Sequence, residues 1–203
     1  SGYPVRKSHL DLNTALICIE WFAQFHGYYL GKNPDGLWTE GTYWHLSTRP
    51  DEWNKMQPGA LKMAADDLDQ RLKKAKYQTI VHGDAKVANF CFSNTLDQVA
   101  AVDFQYVGGG CGMKDLAYFL GSCFTEEECD KYENSVLDHY FKHLKNTMSV
   151  YCPKINSEKV EEEWRKLYPI AWADFSRFLL GWMPTHQKIN GYSKKMAEKA
   201  LGK

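Results

Sequence analysis

Asp84 and Asn89 lie five residues apart with Lys86 between them, and Asp103 follows after a short gap. All fall in residues 78–120, QTIVHGDAKVANFCFSNTLDQVAAVDFQYVGGGCGMKDLAYFL. The local pattern puts them on neighbouring loops. Gln78 to Val81 is a short β-branched run, and His82 to Asn89 reads as a loop. Phe90-Cys91-Phe92 and Val99 to Val102 read as two strands of a hairpin closed by a turn at Ser93 to Asp97. If the hairpin pairs in that way, Asp84, Asn89 and Asp103 meet at one end of a small sheet. Such a group could serve phosphoryl transfer, which needs a base for the hydroxyl proton and metal ions to spread charge on the phosphates. Mg²⁺ takes oxygen ligands and keeps several waters, so two protein oxygens are enough. Asp84 is the candidate base, Asn89 and Asp103 are the candidate Mg²⁺ ligands, and Lys86 could aim its ammonium at the transferred phosphate.

The combination H-G-D-x-x-x-x-N at 82–89, a short hairpin, D-F-Q at 103–105 and D-L-A-Y-F-L at 115–120 resembles the small-molecule branch of the protein-kinase-like fold. That branch includes aminoglycoside phosphotransferases, choline and ethanolamine kinases and the ecdysteroid kinase-like group. The D-F-Q triplet and the D-L-A-Y-F-L run are most similar to the last of these. The resemblance implies a mainly α fold with a small β hairpin (α+β), the helical C-terminal lobe of a kinase-like protein. It implies one domain over 1–203 with the catalytic and metal loops inside 78–115. It also implies ATP-dependent transfer to the hydroxyl of a small molecule, with ATP and Mg²⁺ as cofactors. Asp84 would be the base, Lys86 would meet the γ-phosphate, and Asn89 and Asp103 would hold the metal and the nucleotide. His82 and Asp115 would brace the catalytic loop. Twelve residues from Asp103 to Asp115, with no A-P-E, leave no room for a protein-kinase activation segment, which favours a small acceptor over a protein.

Plainer readings stand beside these. An Asp after a strand is commonly a cap or turn residue. The run Gly108-Gly109-Gly110-Cys111-Gly112 has no G-x-G-x-x-G register, so it reads as a tight turn before a helix that Asp115 would cap. A metal hydrolase built on His82, Asp84 and Asp103 lacks a second His at ligand spacing. A non-catalytic kinase-like scaffold is the second functional reading. The intact Asp84, Asn89 and Asp103 speak against it. In its favour, no glycine-rich loop or V-A-I-K-like strand occurs in the 81 residues before His82. The same gap predicts that the N-terminal lobe lies outside this chain, which would then bind nucleotide weakly and turn over little alone. The start at Ser1-Gly2 fits a piece of a longer protein.

The rest of the chain supplies the frame. Residues 11–30 carry apolar side chains at helical spacing, with His26 read as a hydrogen-bonded core histidine. Residues 31–56 read as a long irregular stretch whose Trp38, Tyr43, Trp44 and Trp53 pin it to the core. A helix is expected over 59–75, with Arg71, Lys73, Lys74 and Lys76 as its solvated end. Beyond Phe119, Thr125-Glu126-Glu127-Glu128 is a capping box opening a helix through Leu144. Ser157 would cap the next helix, Pro169 would bend or restart it, and a short polar helix would begin at Ser193. For the acceptor, Tyr168, Trp172 and Trp182 could form an aromatic cage, or Glu161, Glu162, Glu163 and Asp174 acidic walls.

With 203 residues and zero net charge, the chain can bury one ordinary core and projects no basic field, so neither nucleic acid nor an anionic membrane is the expected partner. Six cysteines without a C-x-x-C pair read as free thiols in a reducing, cytoplasmic setting. No apolar run reaches the length of a membrane span.

Overall fold

A computed structural model describes residues 2–203. The fold is mainly helical, with eight α-helices and two small antiparallel strand pairs among the described residues. Helix α1 (Leu12–Tyr29) opens where the Asp11 carboxylate accepts the Thr14 N–H at 2.8 Å. It closes at Leu30, and Gly31 follows at φ +76°. The long chain after it is tied to the core through the buried Trp44, whereas Trp38, expected in the core, is exposed with its indole donating to the Gln105 carbonyl, and Arg49 bonds the Tyr43 carbonyl within the stretch itself. Within this stretch a short helix, α2 (Pro50–Lys55), starts with proline at its first turn, where the missing N–H costs nothing.

The helix expected over 59–75 is two pieces, α3 (Ala60–Met63) and α4 (Ala65–Lys73). The Trp53 indole and the Ala64 N–H both take the Lys62 carbonyl, which in a continuous helix would serve Asp66. The basic end is also less free than expected, because Lys73 pairs with Glu40 at 3.0 Å and Asp69 at 2.9 Å.

Strands β2 (Phe90–Phe92) and β3 (Val99–Ala101) form the expected hairpin, with Phe90 opposite Ala101 and Phe92 opposite Val99. Val5 exchanges both backbone hydrogen bonds with Phe92 and so extends the hairpin on its other side. The glycine run departs from expectation. It is not a turn but a strand, β4 (Gly108–Gly110), paired antiparallel with β1 (Thr79–Val81). The reason is crowding. A Cβ on Gly108 would collide with the Trp38 carbonyl, and one on Gly109 would lie 2.7 Å from the Thr39 carbonyl. Only glycine lets the 38–42 backbone lie against this strand.

Helix α5 (Met113–Cys123) begins two residues before Asp115, and no side chain among the described residues caps it. Asp115 is thus inside the first turn, and its carboxylate is directed elsewhere. Helix α6 (Glu126–Tyr151) has the capping box read from Thr125 and Glu128 and packs along α1. Helix α7 (Ser157–Trp182) is the spine of the molecule, touching α2, α4, α5 and α8. Its N-cap is Asn156 rather than Ser157, and it runs unbroken through Pro169. An interior proline costs about 3 kcal/mol, but Leu167, Tyr168, Ile170 and Ala171 are all buried around it and hold the helix together. The last helix, α8 (Gly191–Ala200), starts earlier than expected, because Asn190 is the cap and Ser193 closes the reciprocal bond. None of the described helices is long and apolar enough to cross a membrane.

Candidate active site

The loop after β1 is built on two buried carboxylates. Asp115, on α5, accepts the His82 N–H at 2.6 Å, the Gly83 N–H at 3.0 Å and the His26 Nε2–H at 3.1 Å. His26 in turn faces the Tyr140 hydroxyl at 2.8 Å through Nδ1, so α1, α5 and α6 all converge beneath this loop. Burial alone would push the Asp115 carboxyl up, but the hydrogen bond and charge of His26, the His82 ring and the Gly83 N–H outweigh it and hold it below its usual value. Gly83 sits at φ +83°, and a Cβ there would run into the Tyr106 carbonyl.

This geometry turns Asp84 inward. Its Oδ1 accepts the Tyr118 hydroxyl at 3.2 Å, and its Oδ2 accepts the Lys86 ammonium at 2.7 Å and the Asn89 Nδ2–H at 3.0 Å. Asn89 Nδ2 also donates to the Asp84 carbonyl at 2.8 Å, closing the five-residue span of the loop. His82 accepts the Asp84 N–H through Nδ1, which leaves the proton on Nε2 to be donated to the Val102 carbonyl at 3.0 Å. The Val102 N–H meets the Asn89 carbonyl at 2.9 Å. These two bonds clamp the end of β3 to the first loop, one residue before Asp103.

Asp103 itself is exposed, at φ +66°, and its carboxylate has no hydrogen-bond or ion-pair partner among the described residues. The Phe104 ring packs 4.6 Å from His82. The donor set suits Mg²⁺: the Asn89 amide is held by its nitrogen, which leaves Oδ1 over, and the Asp103 carboxylate is open.

The structure thus brings together Asp84, Lys86, Asn89, His82 and Asp115, and Asp103 follows one residue after Val102, which is bonded to both His82 and Asn89. Sequence reading missed Tyr118, Ser122 and Lys188, and it read His26 correctly as a hydrogen-bonded core histidine without naming its partners. Tyr118 is three residues past Asp115, so helical spacing could have found it on the same face. Its hydroxyl is driven well above the usual range by burial, then by Tyr43 and Asp84, which keeps it a donor to Asp84. The Ser122 hydroxyl accepts the Val87 N–H at 2.8 Å and fixes the loop from below. Lys188 lies 4.3 Å over the Tyr118 ring, and burial pulls its ammonium down to about 8. A cavity of about 330 Å³ opens there, with Ser122 and Lys188 in its wall. A second cavity, about 540 Å³ beside Gly109 and Lys114, contains none of Asp84, Asn89 and Asp103, and neither does the first.

Neither acceptor wall drawn from the sequence is assembled. Tyr168 and Trp172 are buried in the core while Trp182 is exposed. Glu161 pairs with Lys145 and Arg165, Glu162 with Lys166, and Asp174 with the buried Arg177. Glu163 accepts the Lys76 and Tyr77 backbone N–H groups.

Residues 41–152 match the ecdysteroid kinase-like family, a span that exceeds half of the 203 residues and contains both loops. The chain belongs to this family. Its kinase-like character agrees with the motif order His82-Gly83-Asp84, Asn89 and Asp103-Phe104-Gln105 in a mainly helical fold with a small hairpin. Neither a curated protein nor a solved structure matches the chain.

Proposed function

We propose that this chain is the catalytic lobe of an ATP-dependent kinase that phosphorylates a hydroxyl group of a small molecule. The observation that carries the reading is the Asp84 carboxylate, buried yet held by three separate donors beside an open Asp103. Phosphoryl transfer depends on positioning and electrostatics more than on covalent help. Asp84 would accept the hydroxyl proton of the acceptor, and the fixed loop would hold that hydroxyl in line. Asn89 Oδ1 and the Asp103 carboxylate would hold Mg²⁺, which when bound with ATP neutralises the phosphate charges. Lys86, now on Asp84, is half-exposed and has donors to spare for a phosphate oxygen.

The test is phosphate transfer from labelled ATP to a panel of small alcohols by the complete natural protein and its Asp84→Asn variant. The variant should lose transfer by about 10³-fold or more while nucleotide affinity stays within about threefold. Near-normal turnover in Asp84→Asn would refute the assignment, and no transfer by the wild type to any alcohol would favour a scaffold.

A further inference from the structure

Away from the Asp84 loop, the seam between α1 and α6 holds three more side chains of ligand type. Glu20 comes from α1. His139 and His143 are four residues apart on α6, so both rings leave the same side of the helix. One ligand atom from each residue lies within 4.8 Å of the other two. His143 Nδ1 stands 3.3 Å from Glu20 Oε1, and the two imidazole centroids are 4.4 Å apart with the rings tilted by 35°.

The surroundings of these groups are also those of a ligand cluster. His139 Nε2 is shut off from solvent without a hydrogen-bond partner among the described residues, a costly state for a ring nitrogen. The Leu16 backbone, one turn before Glu20, lies within reach of the same ring. Gln24 donates to Glu20 Oε1 at 3.0 Å and orients the carboxylate. Metal-bound imidazoles and carboxylates are commonly held from behind by such backbone and amide groups.

We propose that Glu20, His139 and His143 form a binding site for a borderline divalent transition metal, zinc foremost, which clips α1 to α6. Two imidazoles and a carboxylate suit Zn²⁺, whereas Mg²⁺ and Ca²⁺ require oxygen ligands. This site and the Asn89–Asp103 pair therefore sort their metals by ligand chemistry. Glu20 and His143 are partly solvent-exposed, so the remaining coordination position would be filled by water. The clip also has a structural consequence. Tyr140 follows His139 directly and bonds His26, and His26 grips the carboxylate that holds the 82–83 backbone. A metal on the seam would stiffen that stack without touching Asp84.

The metal-stripped chain should be titrated with Zn²⁺ near neutral pH against a chromophoric chelator, and with Co²⁺ as a spectroscopic probe. The expected result is one tight equivalent of Zn²⁺ that raises the Tm. Co²⁺ should give visible bands of nitrogen and oxygen ligation with no sulfur charge-transfer band. Glu20→Gln and His143→Gln lie at the partly exposed side of the seam and should keep the native circular dichroism. Each should lose affinity by at least about tenfold, along with the Zn²⁺-dependent rise in Tm. Equal affinity in both variants, no Zn²⁺ binding up to millimolar metal, or a sulfur band reporting a cysteine site would overturn the proposal.

Discussion

The two loops at the candidate site treat their carboxylates in opposite ways. In the loop at 82–89 and the helix beneath it, every carboxylate oxygen is engaged: Tyr118, Lys86 and Asn89 hold Asp84, while His82, Gly83 and His26 hold Asp115. In the loop at 103–107 the backbone is pinned by the 38–42 segment, but the Asp103 carboxylate is exposed and unpartnered among the described residues. The first arrangement uses its binding capacity inside the protein and fixes the Asp84 carboxylate in place. The second leaves a carboxylate open to solvent. The left-handed backbone at Asp103 is consistent with this, since a non-glycine residue there costs about 1 kcal/mol that no internal contact of its side chain returns.

The contrast should appear first in stability. Asp115→Ala strands the His82 and Gly83 N–H groups and His26 in the core, and should cost about 3–5 kcal/mol in urea unfolding. Gly83→Ala should cost about 2 kcal/mol, because it adds the left-handed penalty to a collision with the Tyr106 carbonyl. A loss below about 0.5 kcal/mol in either variant would show that the first loop is not the rigid member of the pair.

Acid unfolding sharpens the same comparison. The Asp115 carboxyl is held below its ordinary 3.8 in the folded chain, so the folded state binds fewer protons than the unfolded one near that pH. Its contribution is therefore complete above pH 3.8 and is lost as the pH falls through the lower folded value. In a destabilised but folded Asp115→Asn variant this acid limb should flatten. An unchanged limb would move the acid sensitivity elsewhere. The smallest expected effect is at the open loop. Asp103→Gly should leave stability unchanged or raise it by up to about 1 kcal/mol, since glycine accepts the positive φ. A clear loss would mean that Asp103 has an internal role.

The short polar motif was legible in the sequence because it is local. Spacing alone puts Asp84, Lys86 and Asn89 on one loop, and the hairpin 90–101 returns Asp103 to their side. What lay behind the motif was not local. His26 reads as an ordinary core histidine until α1 is packed against α5 and α6, 89 residues from its partner Asp115. The glycine run at 108–110 reads as a turn because its reason is the 38–42 backbone lying against it. Pro169 reads as a break because single-residue propensity knows nothing of the buried side chains on either side of it. Asp115 reads as a helix cap from its position, while only the family resemblance gives it a bracing role; its carboxylate turns to the neighbouring loop, where three donors hold it. The six cysteines are a simpler case. They are free, and burial pushes Cys111 and Cys129 up to about 12, which leaves them inert as nucleophiles.

The proposed function requires that the open Asp103 and the fixed Asn89 complete a Mg²⁺–nucleotide site beside the buried Asp84. Calorimetric titration with ATP, with and without Mg²⁺, tests it most directly when wild type and Asp103→Ala are run side by side. The expected result is weak binding to the wild type that requires Mg²⁺ and disappears in the variant, while the urea midpoints of the two proteins agree. Binding that ignores Mg²⁺, binding that survives in Asp103→Ala, or no binding to the wild type would contradict it.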